Sequence, residues 1–524
     1  MPMGREARLG VLLAGVFFAL GALVNGDIGP TADEIETLRA GQRNLEILEA
    51  HWTGDPPPTW SFHEVEGFYF VMDTARALWG AALGTLGVED PLQAQHLFHL
   101  LLSSLTLWLL FALTRQCGAS ARAAGLAALA LAVLPQFVAH SQNNPKDLPA
   151  TFTFTLAIYC MIGAGLRGGW ARTLLGGVAL GLALTTRVHS VFAPVIAWAW
   201  LILSPRQSPP GAFRRQVFLA VAGLVFSLAF WPRLWPDPIG LALEASQQLT
   251  AKVFTLPVLY LGQVYSAHEI PWHYRPVLLA ATTPSLLLLL AGGGLTLAFG
   301  RGPNEDKRDA ARLAVLWLSV LLLADGLTWS RYDGLRHFLL GFPAVALLAG
   351  LGGDAAVGWL QTRNRSGALG LLALVPFAAS AWTLATLHPY AGASLNAPTR
   401  WLLEGPSDES FELEYWGQSY LEGARWIASH GEPDAEVIVP LFADLARQSS
   451  DRPVRAGRVA DWEPTDRPRY LMMITRRAYY DPPLAKLERQ RVPLFEISRS
   501  GGSLLTIYGN DAAGTLPGSK GTTP

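Results

Sequence analysis

Apolar runs and short polar connections alternate along the chain from its N-terminus to about residue 387. A helix needs about 20 mostly apolar residues to cross a bilayer, and several runs reach or approach that length. The eleven predicted spans are Leu9–Val24, Ala94–Leu113, Ala121–Ala139, Leu148–Leu166, Leu174–Thr186, Val191–Leu203, Val217–Phe230, Val277–Phe299, Leu313–Leu327, Phe338–Leu351 and Leu369–Leu387. The pattern predicts an all-α polytopic membrane protein.

The two runs between residues 174 and 203 are short. Each would give only roughly 20 Å of helix, less than the hydrocarbon core of a bilayer. A single long helix would place Arg172 and Arg206 on opposite sides of the membrane. Two short helices that meet near Arg187–His189 fit the charges better.

Basic residues set the predicted orientation, because cytoplasmic loops are enriched in Lys and Arg. The N-terminus and every second loop after it carry at least two such residues. They are Arg5, Arg8, Arg115, Arg122, Arg167, Arg172, Arg206, Arg214, Arg215, Arg301, Lys307, Arg308, Arg312, Arg363 and Arg365. We therefore expect a cytoplasmic N-terminus and an extracytoplasmic C-terminus. The first run is interpreted as an uncleaved helix, since no clear signal-peptide cleavage site follows Val24.

Three segments on the predicted outer side are long. The predicted membrane domain comprises residues 1–387, with large outer segments at 25–93 and 231–276. The first segment shows a helical pattern over Ile35–Ala50 and an amphipathic one over Phe68–Leu86, which is typical of a helix lying on the membrane surface. The second segment contains a polar helical pattern near Leu241–Lys252.

The third outer segment, residues 388–510, is predicted to be a small C-terminal α/β extracytoplasmic domain. Its pattern indicates a helix Tyr420–His430, strands near Glu436–Pro440 and Tyr470–Thr475, and a hairpin around Ser500–Gly502. Residues 511–524 have the composition of a disordered tail.

Composition agrees with a membrane protein: 51% of the residues are hydrophobic and 15% are charged. Soluble proteins have about 25% charged residues. The net charge of −1 gives no indication of nucleic-acid binding. The two cysteines, Cys117 and Cys160, lie in or beside apolar runs and suggest neither a disulfide framework nor a zinc site.

Polar and charged residues gather on the predicted outer side, where such residues beside lipid usually mark function. Each one also has a structural explanation. Thr31 and Glu34 have capping-box spacing, Asp147 could cap the fourth span, and arginines at helix ends can reach the interface. Because all of these residues lie on the same predicted side of the membrane, the set as a whole favours a functional site. The candidates are Asp33, Glu34, Asn144, Lys146, Asp147, Arg187, His273, Arg331, Tyr332, Arg336 and His337.

Several of these residues stand in motifs that resemble the GT-C superfamily of glycosyltransferases, which includes protein O-mannosyltransferases and aminoarabinose transferases. Asp33-Glu34 resembles the acidic pair of these enzymes. The stretch from His140 to Pro149 is similar to the Asn-Pro-Lys-Asp signature of a bacterial branch. Further similar motifs are Thr186-Arg187, Ile270–Pro276, Thr282–Pro284, Tyr332–His337, His388–Tyr390 and Phe411–Ser419.

The resemblance implies a GT-C-like fold, a polyprenyl-phosphate sugar donor, an acceptor hydroxyl and an inverting displacement in a membrane. Asp33 is the predicted base, with Glu34 and Asp147 as further catalytic candidates. Lys146, Arg187, Arg336, His273 and His337 are predicted around the donor phosphate, with Asn144, Arg331 and Tyr332 as other candidates. No cofactor follows from the sequence. Some members of the superfamily use a divalent metal, which Asp33 and Asp147 could hold between them.

Three other classes of protein remain open at this stage. A transporter would explain many spans, although transporters usually show internal repeats and broken helices near the membrane midplane. A non-catalytic scaffold would fit if the acidic pair only caps a helix. A polysaccharide polymerase or ligase is the nearest alternative enzyme. A pyrophosphate-linked donor would distinguish it from an enzyme that uses a monophosphate.

Overall fold

The computed structural model describes residues 5–55, 70–204, 209–235, 237–240, 243–244, 247, 255–300, 305–327, 331–362, 374–462 and 468–510. Most of the helix predicted near Leu241–Lys252 lies outside these residues, and so do residues 511–524, which the sequence predicts to be disordered. The same holds for Arg206, Arg301, Arg363 and Arg365 among the predicted cytoplasmic cations.

Helices make up most of the described chain. They are α1 Arg5–Leu23, α2 Glu34–Thr53, α3 Phe70–Thr85, α4 Pro91–Gln116, α5 Ala121–Ala132, α6 Pro135–His140, α7 Asp147–Arg167, α8 Trp170–Thr186, α9 Phe192–Leu203, α10 Ala212–Ala229, α11 Tyr274–Thr282, α12 Ser285–Phe299, α13 Glu305–Gly326, α14 Phe342–Thr362, α15 Val375–Leu387, α16 Ala397–Leu402, α17 Tyr420–His430, α18 Ala443–Ser449, α19 Val459–Trp462 and α20 Pro482–Gln490. Helices therefore lie at each of the predicted spans.

Five described helices are long and apolar enough to cross a membrane, and a bent pair of helices would add a sixth. Three further apolar helices are shorter. The prediction of a polytopic, mostly helical membrane protein is confirmed at this level, while the count of eleven spans stays a prediction. α1 exposes Leu12, Leu20 and Leu23, as expected of a helix surrounded by lipid, whereas α14 is buried along most of its length.

Two predicted spans are wrong as single helices. The run Val277–Phe299 consists of α11 and α12, which meet at an angle of 118°. Thr283 adopts an extended backbone before Pro284, because the proline ring disfavours a helical conformation in the preceding residue. The run Ala121–Ala139 is likewise divided into α5 and α6 just before Pro135. In contrast, the predicted break near Arg187–His189 is confirmed, since α8 ends at Thr186 and α9 begins at Phe192.

Close packing of α12 against α14 depends on glycine. A Cβ atom at Gly294 would come within 2.0 Å of the Leu348 carbonyl oxygen, and one at Gly352 would come within 1.9 Å of the Leu290 carbonyl oxygen. Small residues let membrane helices approach in this way. The two glycines therefore allow α12 to pack closely against α14, the helix that begins beside the candidate site.

Residues 388–510, called the tail from here on, contain a five-stranded mixed sheet. Its strands are β3 Glu436–Val439, β4 Val454–Ala456, β5 Arg469–Ile474, β6 Phe495–Arg499 and β7 Gly502–Gly509, and their order in the sheet is β4-β3-β5-β7-β6. Strands β1 Pro257–Tyr260 and β2 Gln263–Ser266 form a separate hairpin. The predicted helix Tyr420–His430 and the hairpin around Ser500 are confirmed. Ser500 and Gly501 both have positive φ, as a two-residue hairpin turn requires. The domain boundaries stay predictions.

Candidate active site

Three carboxylates meet one arginine at one end of the helical bundle. Asp33 immediately precedes α2, Asp147 is the first residue of α7, and Arg336 begins the 3-10 turn that leads into α14. Arg336 Nη1 lies 2.8 Å from Asp33 Oδ2 and 3.7 Å from Asp147 Oδ2. Its Nη2 lies 2.7 Å from Asp333 Oδ2. A planar guanidinium suits such a multiple contact because its donors form a rigid fork.

Two further cations stand beside this cluster. Lys146 Nζ lies 3.4 Å from Asp33 Oδ1, and Arg187 Nη1 lies 2.7 Å from Asp147 Oδ1. Arg187 occupies the break after α8, where its extended backbone leaves the helix. The side chains of Lys146 and Arg187 are 12% and 13% exposed, whereas Asp147 is fully buried. Together with Asp33, whose side chain is 18% exposed, the two cations are the members of the cluster that a ligand can reach, since Arg336 and Asp333 are 9% and 8% exposed.

Asn144 fixes the turn that carries Asp147. Its Oδ1 accepts hydrogen bonds from the backbone N–H groups of Lys146 at 3.2 Å and Asp147 at 2.8 Å, and its Nδ2 donates to Asp147 Oδ2 at 3.2 Å. Asn144 thus satisfies amides at the start of α7 that would otherwise lack partners. The interpretation of Asp147 as a cap is wrong, because Asn144 supplies the capping oxygen. The carboxylate of Asp147 is left to bind the two arginines.

Glu34 belongs to a different set of contacts, although it follows Asp33 directly. Its Oε2 accepts from the Thr31 N–H at 2.8 Å, which is one half of the predicted capping box. Its Oε1 accepts from Gln95 Nε2 at 2.9 Å and lies 2.9 Å from His96 Nε2. Glu34 is fully buried. These contacts anchor the start of α2 to α4 and leave Asp33 as the member of the pair that faces Arg336 and Lys146.

Asp333 connects the cluster to the tail, and the sequence analysis missed it. Its Oδ1 accepts from Arg476 Nη2 at 2.7 Å, while its Oδ2 faces Arg336. Asp333 and Gly334 both have positive φ, so the chain turns sharply here and directs the carboxylate between the two arginines. Arg476 follows β5 and is only 4% exposed. The dipeptide Asp-Gly before Arg336 was the available signal, since it is typical of a tight turn.

Glu412, the other carboxylate on Arg476, makes stability sensitive to pH. Its Oε1 lies 3.3 Å from Arg476 Nε, and burial, only partly opposed by that charge, raises the pKa of Glu412 to about 7. Because the pKa is higher in the folded state than in the unfolded one, the stability it contributes is full at low pH and is lost as pH rises through about 7. We expect Glu412→Gln to reduce the fall in thermal midpoint between pH 5.5 and 8 in detergent. Glu409→Gln, at an exposed position, should leave that fall unchanged, and an unaltered fall in Glu412→Gln would contradict the assignment.

Trp416 and Tyr415 bring the tail segment into contact with the membrane helices. The Arg336 guanidinium lies 4.9 Å from the centre of the Trp416 ring, a cation–π distance. The Trp416 carbonyl accepts from the Ala32 N–H at 3.2 Å, directly before Asp33. Tyr415 Oη lies 3.5 Å from His140 Nε2. The segment with Tyr415 and Trp416 thus lies over the side of the cluster that faces the C-terminal domain.

The remaining candidates have other partners in the described part of the chain. His273 Nδ1 lies 2.7 Å from Tyr260 Oη in the β1–β2 hairpin, and Arg331 donates to the carbonyls of Asp325 and Gly326, which end α13. His337 lies edge-on to Tyr332 with ring centroids 4.7 Å apart, and the Arg336 guanidinium is 5.6 Å from the Tyr332 ring. Tyr332 and His337 therefore border the cluster, whereas His273 and Arg331 have structural contacts outside it.

Part of the chain matches the model of a known protein family. Residues 76–235 match the model of dolichyl-phosphate-mannose-protein mannosyltransferases. The resemblance to the GT-C glycosyltransferases is confirmed. The predicted enzyme class, a membrane glycosyltransferase, is confirmed with it. No curated relative matches the chain.

Solved structures similar to this glycosyltransferase share little sequence identity with it. ArnT from Cupriavidus metallidurans bound to undecaprenyl phosphate is 15% identical with a TM-score of 0.48, covering 96% of this chain and 99% of that one. Archaeal oligosaccharyltransferase AglB from Archaeoglobus fulgidus, in complex with an inhibitory peptide and a dolichol-phosphate, is 11% identical with a TM-score of 0.48, covering 88% and 69%. Arabinofuranosyltransferase AftD from Mycobacteria is 18% identical with a TM-score of 0.46, covering 88% and 35%.

A metal site is not evident in this glycosyltransferase within the described residues, where no group of three His, Cys, Asp or Glu side chains could hold an ion. Asp33 and Asp147 both face Arg336, so a cation of the protein already lies between the two carboxylates proposed as metal ligands. The divalent metal that the resemblance leaves open stays a prediction without support from this geometry.

The protonation of Asp33 depends on its cationic neighbours. Burial raises the pKa of this carboxyl, but the charges of Lys146 and Arg336 outweigh burial and hold the pKa below its usual value of 3.8. A base must be deprotonated to act, so activity should persist to acidic pH in the wild-type glycosyltransferase. Replacement of Lys146 by glutamine removes one of these charges and should raise the pKa of Asp33.

We therefore expect the acidic limb of kcat/KM to move to higher pH in Lys146→Gln. The pH profile of transfer in liposomes, compared with that of the wild type, measures the shift. Lys486→Gln, at an exposed position in α20, is the matched control and should leave the profile in place. An acidic limb that stays fixed in Lys146→Gln would mean that Asp33 does not govern it.

Proposed function

We propose that this chain transfers a sugar from a polyprenyl-phosphate donor to an acceptor hydroxyl at the extracytoplasmic face of the inner membrane. The observation that carries the proposal is the cluster in which Arg336 joins Asp33, Asp147 and Asp333. A partly exposed carboxylate, Asp33, that cations keep ionised beside Lys146 and Arg187 matches the needs of such a transfer. The matched family, described by its dolichyl-phosphate-mannose donor, supports the same donor class.

The reaction is a single displacement with inversion at the anomeric carbon. The acceptor oxygen forms a bond to this carbon on the face opposite the phosphate, and the bond between the carbon and the phosphate oxygen breaks. The acceptor proton passes to the Asp33 carboxylate, and polyprenyl phosphate departs with the electron pair of the broken bond. General base catalysis of this kind typically contributes about 10²- to 10⁴-fold.

Asp33 suits the base better than Glu34 does. The Asp33 side chain is 18% exposed and its carboxylate faces Lys146 and Arg336, whereas Glu34 is fully buried and bound to Thr31 and Gln95. A base must reach the acceptor hydroxyl, and a carboxylate already occupied by structural donors cannot do so without breaking them. Asp147 orients Arg187 and contributes to holding Arg336.

The cations stabilise the departing phosphate. Charge builds up on the phosphate oxygen as the bond breaks, and fixed positive groups lower the energy of that state. Lys146 and Arg187 lie at the accessible edge of the cluster, and arginine binds phosphate oxygens through two parallel hydrogen bonds. The phosphate of a lipid donor lies near the membrane surface, which is the level at which the predicted topology places these residues.

Charge contacts at two distant positions along α14 support the proposed orientation of the chain in the membrane. Arg336 begins the turn into this helix, and Asp354 lies roughly 30 Å farther along it. Asp354 Oδ1 lies 2.5 Å from Arg122 Nε, and its Oδ2 lies 2.6 Å from Lys307 Nζ. Arg122 and Lys307 belong to the predicted cytoplasmic loops, so these cations contact the second half of α14, away from the cluster.

The proposal is tested by a transfer assay with purified protein in liposomes and a panel of lipid-linked sugars. The panel pairs each polyprenyl-phosphate sugar with its pyrophosphate-linked counterpart and offers glycan, lipid and peptide hydroxyl acceptors. Release of polyprenyl phosphate from the monophosphate donors alone is the expected result. Consumption of pyrophosphate donors would instead favour a polymerase or ligase. Failure to bind any of these lipids in a direct binding measurement would overturn the proposal.

A further inference from the structure

The tail carries two large apolar side chains that stay strongly exposed in the fold. They are Trp401 and Leu402, at the end of the short helix α16, and they are 85% and 72% exposed. A single exposed leucine is ordinary on a protein surface, whereas adjacent large apolar residues with this exposure are typical of a surface that binds a partner or lipid. The position of α16 beside the membrane helices indicates which of the two lies here.

Asn396 joins α16 to the bend between α11 and α12. Its Oδ1 accepts from the Thr399 N–H at 3.0 Å and caps the start of α16. Its Nδ2 donates to the carbonyls of Ala280 at 2.6 Å and Thr283 at 2.9 Å, and its backbone N–H donates to the Ala281 carbonyl at 2.8 Å. The last carbonyls of a helix have no partner within it, so Asn396 satisfies groups at the end of α11. The helix α16 therefore begins directly beside the bend.

The bend lies at the level where the chain enters the membrane. The almost entirely apolar helix α12 begins at Ser285 and exposes Leu286 and Leu289, as expected of a helix that contacts lipid. Helix α11 meets it at 118°, so the chain turns away from the axis of α12 before this helix begins. Trp272, two residues before α11, is also strongly exposed, and tryptophan is enriched at membrane–water interfaces. These features put the bend, and with it the start of α16, at the bilayer surface.

Lipid is the occupant that this position favours. The lipid around α12 reaches its first turns at Leu286 and Leu289, and α16 begins at the same end of that helix. Headgroups and upper acyl chains therefore lie around α16 in every copy of the molecule, whereas a protein partner would have to displace them. Indole and leucine side chains suit this depth, because an apolar helix face inserts about 5 to 10 Å into the boundary between headgroups and acyl chains.

We propose that Trp401 and Leu402 insert into the surface of the bilayer and attach the tail to it. The partner is the boundary between headgroups and acyl chains, which the two side chains recognise by its apolar character and not by a particular headgroup. The tail then has an attachment to the membrane besides its covalent link through α15. The inference depends on the membrane helices and not on the proposed transfer reaction, so either can fail without the other.

Depth-dependent fluorescence quenching tests the insertion in the full chain. The two native cysteines, Cys117 and Cys160, are replaced by alanine, and a bimane label is attached to Leu402→Cys in phosphatidylcholine liposomes. The quenchers are iodide on both sides of the membrane and lipids with a doxyl group near the start or near the end of the acyl chain. We expect the shallow doxyl lipid to quench this label most and iodide to quench it least. Liposomes that contain phosphatidylglycerol should give the same result, because apolar insertion needs no headgroup charge.

Two matched positions calibrate the measurement. Val492→Cys places the label before β6, at the end of this strand opposite the Ser500 turn that contacts Leu395 beside α16. Iodide should quench this label at least about twofold more than the label on Leu402→Cys, which the bilayer covers. Leu295→Cys places the label on the exposed side of α12, about 15 Å from the start of that helix, and the deep doxyl lipid should quench it most.

The outcomes decide between the bilayer, water and another protein. Trp401→Cys repeats the measurement at the adjacent position, so the test survives if one of the two substitutions lowers the thermal midpoint. Labels at both positions that iodide quenches as strongly as the label on Val492→Cys would show that the surface faces water, and this overturns the inference. Protection from iodide and from both doxyl lipids would show that a second copy or another protein covers the surface, which overturns it as well.

Discussion

Asp33→Asn is expected to lower kcat for sugar transfer by about 10²- to 10⁴-fold, with KM for the donor nearly unchanged. Asparagine has the size of aspartate and can still accept a hydrogen bond from Arg336, which lies 2.8 Å from Asp33 Oδ2. The amide cannot take the acceptor proton, so the loss should fall on the chemical step. Single-turnover measurement of polyprenyl phosphate release with purified protein in liposomes would separate this step from donor binding.

Two control substitutions test whether the effect of Asp33→Asn is specific to that carboxylate. Asp27→Asn changes a carboxylate that is 54% exposed and pairs with His388, and it should keep full activity. Glu34→Gln should instead lower the thermal midpoint, because it weakens buried contacts with Thr31, Gln95 and His96. Asp33 would lose its assignment as base if Asp33→Asn retained kcat within about twofold.

Arg336→Met is expected to destabilise the protein by about 3 to 5 kcal/mol and to abolish transfer. The substitution leaves the carboxylates of Asp33, Asp147 and Asp333 close together without the guanidinium that separates them. Removing one partner of a buried ion pair costs more than the pair contributes, because the remaining charges stay buried. Thermal unfolding in detergent, with transfer measured on the folded fraction, would quantify both effects.

The pH dependence of Arg336→Met identifies the cause. Without the arginine, the crowded carboxylates repel one another when they are ionised and lose that repulsion when they are protonated, so the variant's deficit in stability should be smallest at low pH and grow as pH rises. Arg336→Lys restores a charge but not the planar fork and should recover stability only in part. Arg400→Met, at an exposed position in α16, is the control. A deficit that does not depend on pH would instead indicate loss of packing against Trp416.

The sequence alone predicted the features that depend on local patterns. Hydrophobic runs located the membrane helices, and the loop charges indicated two short helices around Arg187. Both hydrophobicity and loop charge can be read from residues that are close together in the sequence. Capping spacing identified the contact between Thr31 and Glu34. The acidic pair, the Asn-Pro-Lys-Asp turn and Arg336 were proposed as parts of one site because they share a predicted side of the membrane.

Only the tertiary structure decided which of these residues meet. Asp33 and Arg336 are 303 residues apart, and no periodicity along a chain can report a contact over that separation. The link from Arg336 through Asp333 to Arg476 depends on a tail that packs onto the membrane helices. Arg331 shares the predicted side of the membrane, yet in the fold it donates to the carbonyls at the end of α13. Membrane insertion is set by the polarity of consecutive residues, whereas the pairing of buried charges is set by how the helices pack, so the sequence determined the first and the fold decided the second.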